Sequence, residues 1–190
     1  MKISIIIPTL NEAKQLPVLL DSFLLITSGA IEVIVVDGNS EDKTVAAALN
    51  YKKKLPKNIK LQVVRTGVRN VAHQRNLGAK SAQGEVIIFL DADTILPPPA
   101  QFEKLVTQFK SGGYAAASTR FRPIEKDWRA EIYYAILYGF HKIMEGWNPY
   151  AVGSCVLTTR PTLDHCGGFD PTIKINEDAE FAKRSARCGR

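Results

Sequence analysis

Four short apolar runs in the first half of the chain constrain the fold more than any other feature. They span residues 3–7, 31–37, 61–65 and 85–91 and are rich in isoleucine and valine. Each run is nearly continuous rather than alternating, which is typical of strands covered on both faces of a parallel sheet. Stretches with helical character lie between them, at 12–26, 41–54 and 71–82. This order predicts an α/β fold, a doubly wound parallel sheet with right-handed crossovers.

The regular alternation of predicted strands and helices ends after residue 95. The sequence then predicts a helix over 98–109, a strand over 114–123, a long helix over 127–146, a strand over 152–160 and a final helix over 176–189. No repeat or low-complexity linker separates this half from the first. We therefore expect residues 1–190 to form a single domain, because a chain of this length can bury one substantial core.

The charge and the cysteines bound the possible partners. The net charge of +6 suits an anionic small molecule, a membrane surface or a nucleic acid and does not choose among them. The three cysteines, Cys155, Cys166 and Cys188, form no C-x-x-C pair, which argues against a disulfide framework and favours a reducing compartment. No run approaches the roughly 18 apolar residues of a membrane span. The apolar stretch 130–140 is expected to be a buried helix, with an interfacial helix as the alternative.

Acidic residues follow three of the predicted strands. Glu12 comes after the first, Asp37 ends the second, and Asp91 and Asp93 come at the end of the fourth. The carboxyl ends of parallel strands share one edge, where ligands bind, so these four acids should gather there. Their repulsion must be offset by a cation or by ligand hydrogen bonds. Mg²⁺ or Mn²⁺ bound by one or two carboxylates and completed by phosphate oxygens fits this pattern, and a solvated Asp-Pro turn is the alternative.

Basic residues cluster before and within the third predicted helix. Arg69, His73 and Arg75 lie near its start, where arginine side chains and the helix N-terminus both favour phosphate. A solvated helix face is the alternative. The sequence contains no glycine-rich phosphate loop, so we expect the phosphates to be held by a metal ion and side chains.

A second group of acids opens the final helix. Glu177, Asp178 and Glu180 lie in its first turn, where compensation of the helix dipole alone can explain them. A base that deprotonates a hydroxyl must nevertheless be a carboxylate or a histidine, and Asp178 is the best candidate in this half. The preceding pair Gly167-Gly168 predicts a turn at which the backbone can approach a substrate.

Six motifs in order carry a resemblance to a known family. They read IIIPTLNE, VIVVDGNSEDKT, RNLGAKSAQGEVIIFLDADT, GSCVLTTR, CGGFD and NEDAEF. Together they resemble the family-2 glycosyltransferases of the GT-A fold, over almost the whole chain. The resemblance implies a mostly parallel sheet flanked by helices with an antiparallel C-terminal extension. It divides the chain into a nucleotide-binding half, about 1–95, and an acceptor-binding half, about 96–190.

The resemblance also implies roles for residues on the donor side. The segment with Pro8, Thr9 and Glu12 looks like the lining of the nucleotide pocket. Asp37 resembles the acid that reads the nucleobase, usually uracil. Arg75 resembles the basic residue near the nucleotide and its diphosphate.

The remaining implied roles concern the metal ion and the acceptor. Asp91 resembles the first acid of the D-x-D motif, near the ribose, and Asp93 resembles the ligand of Mn²⁺ or Mg²⁺. Glu177 and Asp178 resemble the E-D pair, in which the aspartate is the catalytic base. Gly168 looks like part of the acceptor wall.

The implied activity is an inverting, metal-dependent sugar transfer from a nucleotide-diphosphate sugar, UDP- or GDP-linked, to an acceptor hydroxyl. We expect a saccharide or lipid-linked acceptor, a role in glycan, glycolipid or cell-envelope synthesis, and no nucleic-acid partner. The expected location is the cytoplasm, and the basic charge leaves open a peripheral attachment to the inner face of the membrane. The chain ends at Arg190, shortly after the E-D pair, so further acceptor-side residues beyond it also stay open.

Three alternatives remain at this stage. Residues 86–94 also fit the signature of haloacid-dehalogenase-like phosphatases, in which Asp91 is the nucleophile and Asp93 the acid. A sugar nucleotidyltransferase shares the fold but normally has a glycine-rich loop after its first strand, which this sequence lacks. The third alternative is a non-catalytic subunit that binds a sugar nucleotide without turnover.

Overall fold

The computed structural model describes residues 2–119, 128–129, 132–136, 139 and 154–188. Within these residues, the strands are β1 (Lys2–Thr9), β2 (Ala30–Asp37), β3 (Ile59–Arg65), β4 (Val86–Leu90), β5 (Ala116–Ser118) and β6 (Cys155–Thr159). The helices whose two ends both lie within these residues are α1 (Gln15–Phe23), α2 (Thr44–Tyr51), α3 (Val71–Ser81), α4 (Pro99–Ser111), α5 (Arg160–Cys166) and α6 (Glu177–Ser185).

The strands form one mixed sheet in the order β3-β2-β1-β4-β6-β5. β1 pairs in parallel with β2 and β4, and β2 pairs in parallel with β3. β6 runs antiparallel to β4 and to β5. The predicted fold class is confirmed: a mostly parallel sheet flanked by helices, with antiparallel pairing on the C-terminal side. Since β1 lies between β2 and β4, the ends of these three strands meet at one edge.

Two apolar clusters cover the two faces of the sheet. On one face, side chains of α1, α2 and α4, including Phe23, Tyr51 and Phe102, pack on the sheet. On the other face, α3, α5 and α6 pack through Ala72, Leu163 and Phe181, among others. The strands are therefore covered on both sides, which explains why their apolar runs are nearly continuous.

Helix α3 lies close against the sheet. A Cβ atom added at Gly78 would come within 2.4 Å of Ile6 Cγ2 and 3.0 Å of Val36 Cγ2. Only glycine fits such a contact without a shift of the backbone or of these side chains. The second half of α3 is thereby held against β1 and β2.

The helices differ from the sequence prediction mainly at their ends. Helix α1 begins at Gln15 rather than at residue 12, which places Pro17 in the first turn, where a proline is tolerated. Helix α5 was not predicted, although Thr159 caps it through its hydroxyl, which accepts from the Thr162 backbone N–H. Parts of the predicted strand 114–123 and helix 127–146 lie outside the described residues. Among the residues that are described, no helix is long and apolar enough to cross a membrane.

Candidate active site

A cavity of about 330 Å³ opens at the carboxyl edge of the parallel strands. Its wall is built from the end of β1, the end of β4 and the start of α3. Five of the predicted site residues line it: Pro8, Thr9, Glu12, Asp91 and Asp93. The residues Arg69, Asn70 and Gln74 complete the α3 side.

The loops that follow β1 and β2 are joined by reciprocal hydrogen bonds. The Asn11 backbone N–H donates to Ser40 Oγ at 2.9 Å, and the Glu41 backbone N–H donates to Asn11 Oδ1 at 2.8 Å. Asn11 takes a left-handed conformation with φ 59°. The Glu12 backbone N–H donates to Thr44 Oγ1 at 2.8 Å, which ties the loop to the start of α2. These bonds fix the backbone around Glu12 at the cavity mouth.

Gln74 holds the ends of β1 and β2 from the other side. Its Nε2 donates to the carbonyl oxygens of Thr9 at 2.8 Å and Val36 at 2.7 Å. The side chain is only 4% exposed. Gln74 was not predicted from the sequence, in which its only signal is a polar residue near the start of a predicted helix.

Asp37 is buried behind the cavity rather than in its wall. The side chain is fully buried, and Oδ2 accepts a hydrogen bond from the Ser40 backbone N–H at 3.1 Å. Oδ1 is also buried, and among the described residues no group donates a hydrogen bond to it. An unsatisfied buried acceptor costs free energy, so a donor from a ligand would be favourable here.

Negative charge is concentrated at the cavity mouth. Burial raises the pKa of Glu12, and the charges of Asp93, Asp42 and Asp91 raise it further. Burial also raises the pKa of Asp91, opposed by the nearby Arg75 guanidinium and reinforced by Asp93 and Glu177. The carboxylate of Asp93 is exposed and accepts no hydrogen bond from any residue that the structure describes.

The carboxylates at the cavity mouth are suited to a divalent cation that is only partly coordinated by protein. No cluster of three or more metal-binding side chains occurs in the described parts of the chain. Mg²⁺ and Mn²⁺ commonly take one or two carboxylates and complete their shells with water and phosphate oxygens. Asp93, with its free carboxylate beside two acids of raised pKa, fits a cation held in this way.

Arg75 lies beneath the cavity, with only 2% of its surface exposed. One terminal nitrogen, Nη2, donates to Asp91 Oδ1 at 3.0 Å, and the other, Nη1, donates to Glu177 Oε1 at 2.7 Å. The guanidinium also lies over the Phe169 ring, 5.2 Å from its centroid. The sequence predicted a phosphate contact for this residue, and the structure adds two carboxylate contacts that the sequence did not reveal.

Asn76 of α3 and Asn70, which caps the start of this helix, hold the segment that follows α5. Asn76 donates to the Phe169 carbonyl at 2.7 Å and accepts from the Phe169 backbone N–H at 2.8 Å. Asn70 donates to the Pro171 carbonyl at 3.0 Å. Gly168, with φ 76°, lies directly against Asn76, since an added Cβ would come within 2.4 Å of Asn76 Oδ1. Asn76 was not identified from the sequence.

Glu177 and Asp178 open helix α6 and are each 8% exposed. They follow Asn176, which takes a left-handed conformation with φ 63°. Burial raises the pKa of Asp178; the Ala179 backbone N–H lowers it, Glu177 raises it and Arg75 lowers it, and the net direction is upward. A carboxylate with a raised pKa is a stronger base than an exposed aspartate.

Comparisons with known proteins identify a family for this chain. The family model described as "Glycosyl transferase family 2" matches residues 4–163. A dolichol-phosphate mannosyltransferase from Pyrococcus furiosus is 33% identical over 122 residues, which are 64% of this chain and 34% of that protein. A dolichyl-phosphate beta-glucosyltransferase from Mus musculus is 33% identical over 157 residues, 74% of this chain and 48% of that protein.

Solved structures show the same fold. The mannosyltransferase PcManGT from Pyrobaculum calidifontis, in complex with GDP-Man and Mn²⁺, superimposes with a TM-score of 0.82 at 26% identity, over 98% of this chain and 52% of that one. S. aureus TarS in complex with UDP has a TM-score of 0.69 at 20% identity, over 97% of this chain and 55% of that one. The chain thus spans about half of these structures and a third to a half of the two curated relatives.

Proposed function

The chain belongs to glycosyl transferase family 2, and from this membership we propose that it transfers a sugar from a nucleotide-diphosphate sugar to an acceptor hydroxyl with inversion at the anomeric carbon. The observation that carries the proposal is the placement of two acidic groups around one buried arginine. Asp91 and Asp93 lie at the cavity mouth, and Glu177 and Asp178 open the helix beyond it.

The donor is proposed to lie in the 330 Å³ cavity, with its nucleotide against Pro8, Thr9 and Glu12. Asp37 supports the recognition of a nucleobase, because its buried Oδ1 is free to accept a hydrogen bond from a base N–H. Uracil and guanine both carry such a group beside a carbonyl. Asp37 does not line the cavity, so a base that contacts it must reach beyond the cavity wall.

Asp93 is the residue proposed to hold Mn²⁺ or Mg²⁺, with the neighbouring Asp91 towards the ribose. When bound, the cation would stabilise the negative charge that develops on the departing diphosphate. The neighbour of known structure at 26% identity contains Mn²⁺ together with a nucleotide sugar, which supports a role for a divalent cation.

Asp178 is the proposed base. Its carboxylate takes the proton of the acceptor hydroxyl, and the resulting oxygen nucleophile attacks the anomeric carbon from the face opposite the diphosphate. Burial raises its pKa and favours uptake of this proton. The turn at Gly168 and Phe169, fixed by Asn76, is the proposed wall against which the acceptor lies.

A saccharide or lipid-linked acceptor is proposed, and the two curated relatives named above support the lipid-linked class. Family membership removes the haloacid-dehalogenase-like and nucleotidyltransferase alternatives, because the whole arrangement of motifs over 4–163 matches a different family. A non-catalytic subunit that binds a sugar nucleotide remains the competing proposal, and only turnover separates it from a transferase.

Thermal shifts with a panel of nucleoside diphosphates and nucleotide sugars, with and without Mn²⁺, test the donor site. A ligand that binds the native state at 100 times its Kd stabilises it by about 2.7 kcal/mol. Asp93→Asn should abolish the Mn²⁺-dependent part of the shift. Asp178→Asn should keep the shift and lower transfer by about 10²–10⁴-fold. The proposal is wrong if no member of the panel stabilises the wild-type protein.

A further inference from the structure

Helix α3 is the only element in the described residues that contacts both groups of acids through one side chain, and that side chain is Arg75. Its guanidinium reaches Asp91 beside β4 and Glu177 at the start of α6. These two carboxylates lie 86 positions apart in the sequence numbering and belong to the proposed donor and acceptor halves. The ion pair to Glu177 is formed almost without solvent, since the side chains are 2% and 11% exposed.

The same helix holds the rest of the acceptor-side segment. Asn76 fixes both backbone groups of Phe169, and Asn70 binds the Pro171 carbonyl. Phe169 in turn packs against Phe89 of β4, with ring centroids 4.8 Å apart, and stacks on Phe181 of α6 at 4.6 Å. Arg75 is therefore the charged centre of a contact that orients the start of α6.

We propose that Arg75 is a positioning residue that holds the Glu177–Asp178 pair at a fixed distance from the donor site, rather than a residue that only binds phosphate. Both of its terminal nitrogens already bond to carboxylates, and its planar fork can direct two bonds at a fixed angle. Lysine offers a single ammonium and cannot bridge the two acids with the same geometry. This inference rests on the proposed transfer activity and deepens it.

Arg75→Lys and Arg75→Met test the inference. Both variants should keep the nucleotide-induced thermal shift and the donor KM within a few-fold. The kcat should fall by about 10²-fold, because a displacement of about 1 Å at a reacting group has an effect of this size. In the double variant Arg75→Met/Glu177→Gln the more deeply buried of the two stranded carboxylates is neutralised, so stability should recover in part while kcat stays low.

Arg160→Lys is the matched control for a merely structural arginine. Arg160 donates to the carbonyls of Ala79 at 2.9 Å and Ala82 at 2.6 Å, at the far end of α3. Its substitution should lower the melting temperature and leave kcat unchanged. The inference is overturned if Arg75→Lys raises donor KM with kcat unchanged, which indicates a phosphate ligand. It is also overturned if Arg75→Lys and Arg160→Lys behave alike.

Hydrogen exchange separates a failure of this inference from a failure of the proposed function. If the wild-type protein transfers no sugar, the activity proposal fails, and the exchange experiment still tests Arg75 without substrates. Arg75→Lys should speed amide exchange in the segment 169–181 and leave α1 and α2 unchanged. Unchanged exchange in 169–181 would overturn the positioning role.

Two cysteines near the ends of α5 and α6 lie in contact, and what they can do does not depend on the transfer activity. Cys166 ends α5, Cys188 follows α6, and their Sγ atoms lie 3.0 Å apart. Cys188 is exposed, while Cys155 is 6% exposed in β6. We infer that Cys166 and Cys188 form a disulfide under mild oxidation and that Cys155 does not react. In a reducing compartment the pair stays as two thiols.

Oxidised glutathione would form this disulfide through two successive thiol–disulfide exchanges. The thiolate of Cys188 attacks one glutathione sulfur and releases one reduced glutathione. The thiolate of Cys166 then attacks the mixed disulfide, forms the Cys166–Cys188 bond and releases the second. The bond would tie the end of α5 to the end of the helix that carries Asp178.

Peptide mapping of the native chain after treatment with oxidised glutathione tests the bond. A cross-linked peptide containing Cys166 and Cys188, with the mass of two hydrogens lost, is expected, and Cys155 should be alkylated only after unfolding. Cys166→Ser should leave a stable glutathione adduct on Cys188. The inference is overturned if the wild-type protein keeps a glutathione adduct on Cys188 or leaves both thiols unmodified.

Discussion

The turn at Gly167 and Gly168 allows a matched pair of substitutions whose effects differ for one structural reason. Both glycines have positive φ, 75° and 76°. An added Cβ at Gly167 meets nothing within 4 Å, whereas at Gly168 it would lie 2.4 Å from Asn76 Oδ1. Alanine at either position is destabilised by the left-handed backbone conformation, and only alanine at 168 must also displace the Asn76 side chain.

The magnitudes follow from the contacts. The left-handed conformation costs a non-glycine residue about 1–2 kcal/mol, and the smaller conformational freedom of the unfolded chain returns about 0.4–1 kcal/mol. Gly167→Ala should therefore destabilise by about 1 kcal/mol. Gly168→Ala should also break the two Asn76–Phe169 hydrogen bonds, at about 1 kcal/mol each. Its total should be about 3 kcal/mol.

Chemical denaturation and calorimetry measure these differences. For a chain of this size, 1 kcal/mol corresponds to about 2–4 °C in melting temperature, so the two variants should differ visibly. Asn76→Ala should cost about 2 kcal/mol through the same two bonds. The double variant Gly168→Ala/Asn76→Ala should cost less than the sum of the single variants, because the clash is gone. Equal effects of the two glycine variants, or full additivity, would refute the reasoning.

Three further predictions concern other parts of the site. Asp178→Asn should be more stable than the wild type at pH 7, because the raised pKa of Asp178 means that the folded wild-type protein loses stability as the pH rises from the ordinary aspartate pKa to the raised one. Calorimetry should show this difference in stability shrink towards zero below the ordinary aspartate pKa. A variant less stable than the wild type at pH 7 would contradict the prediction. Gln74→Met should destabilise by about 1–3 kcal/mol, measured by urea denaturation, because the two buried hydrogen bonds from Gln74 to the Thr9 and Val36 carbonyls are lost. Asp37→Asn should weaken nucleoside-diphosphate binding by about 10–100-fold in calorimetry, since an amide replaces the charged acceptor; unchanged affinity would show that the base does not contact Asp37.

The sequence predicted the parallel strands well because their apolar runs report burial on both faces directly. The run at 31–37, for example, became β2, Ala30–Asp37, with all but its first residue buried. The ends of the helices were predicted less accurately, since a proline such as Pro17 fits the first turn of a helix as well as a bend within it. Helix α5 was missed because it has only seven residues, too few for a helical period to stand out.

The site was predicted in part for a similar reason. The acids at the strand ends, Glu12, Asp91 and Asp93, follow their strands directly, so topology alone brings them to one cavity. Glu177 lies 102 residues from Arg75 in the sequence, and Phe169 lies 93 residues from Asn76; both partners are in the second half. No local pattern reports such a pairing, and only the folded chain shows that α3 joins the two halves.

The contacts of α3 also limit how such proteins can be recombined. A chimaera cut near residue 95 would take α3 from one parent and the segment 168–177 from the other. Arg75, Asn76 and Asn70 would then face foreign partners in place of Glu177, Phe169 and Pro171. To exchange donor preference between relatives, α3 and the segment 168–177 should therefore be taken from the same parent.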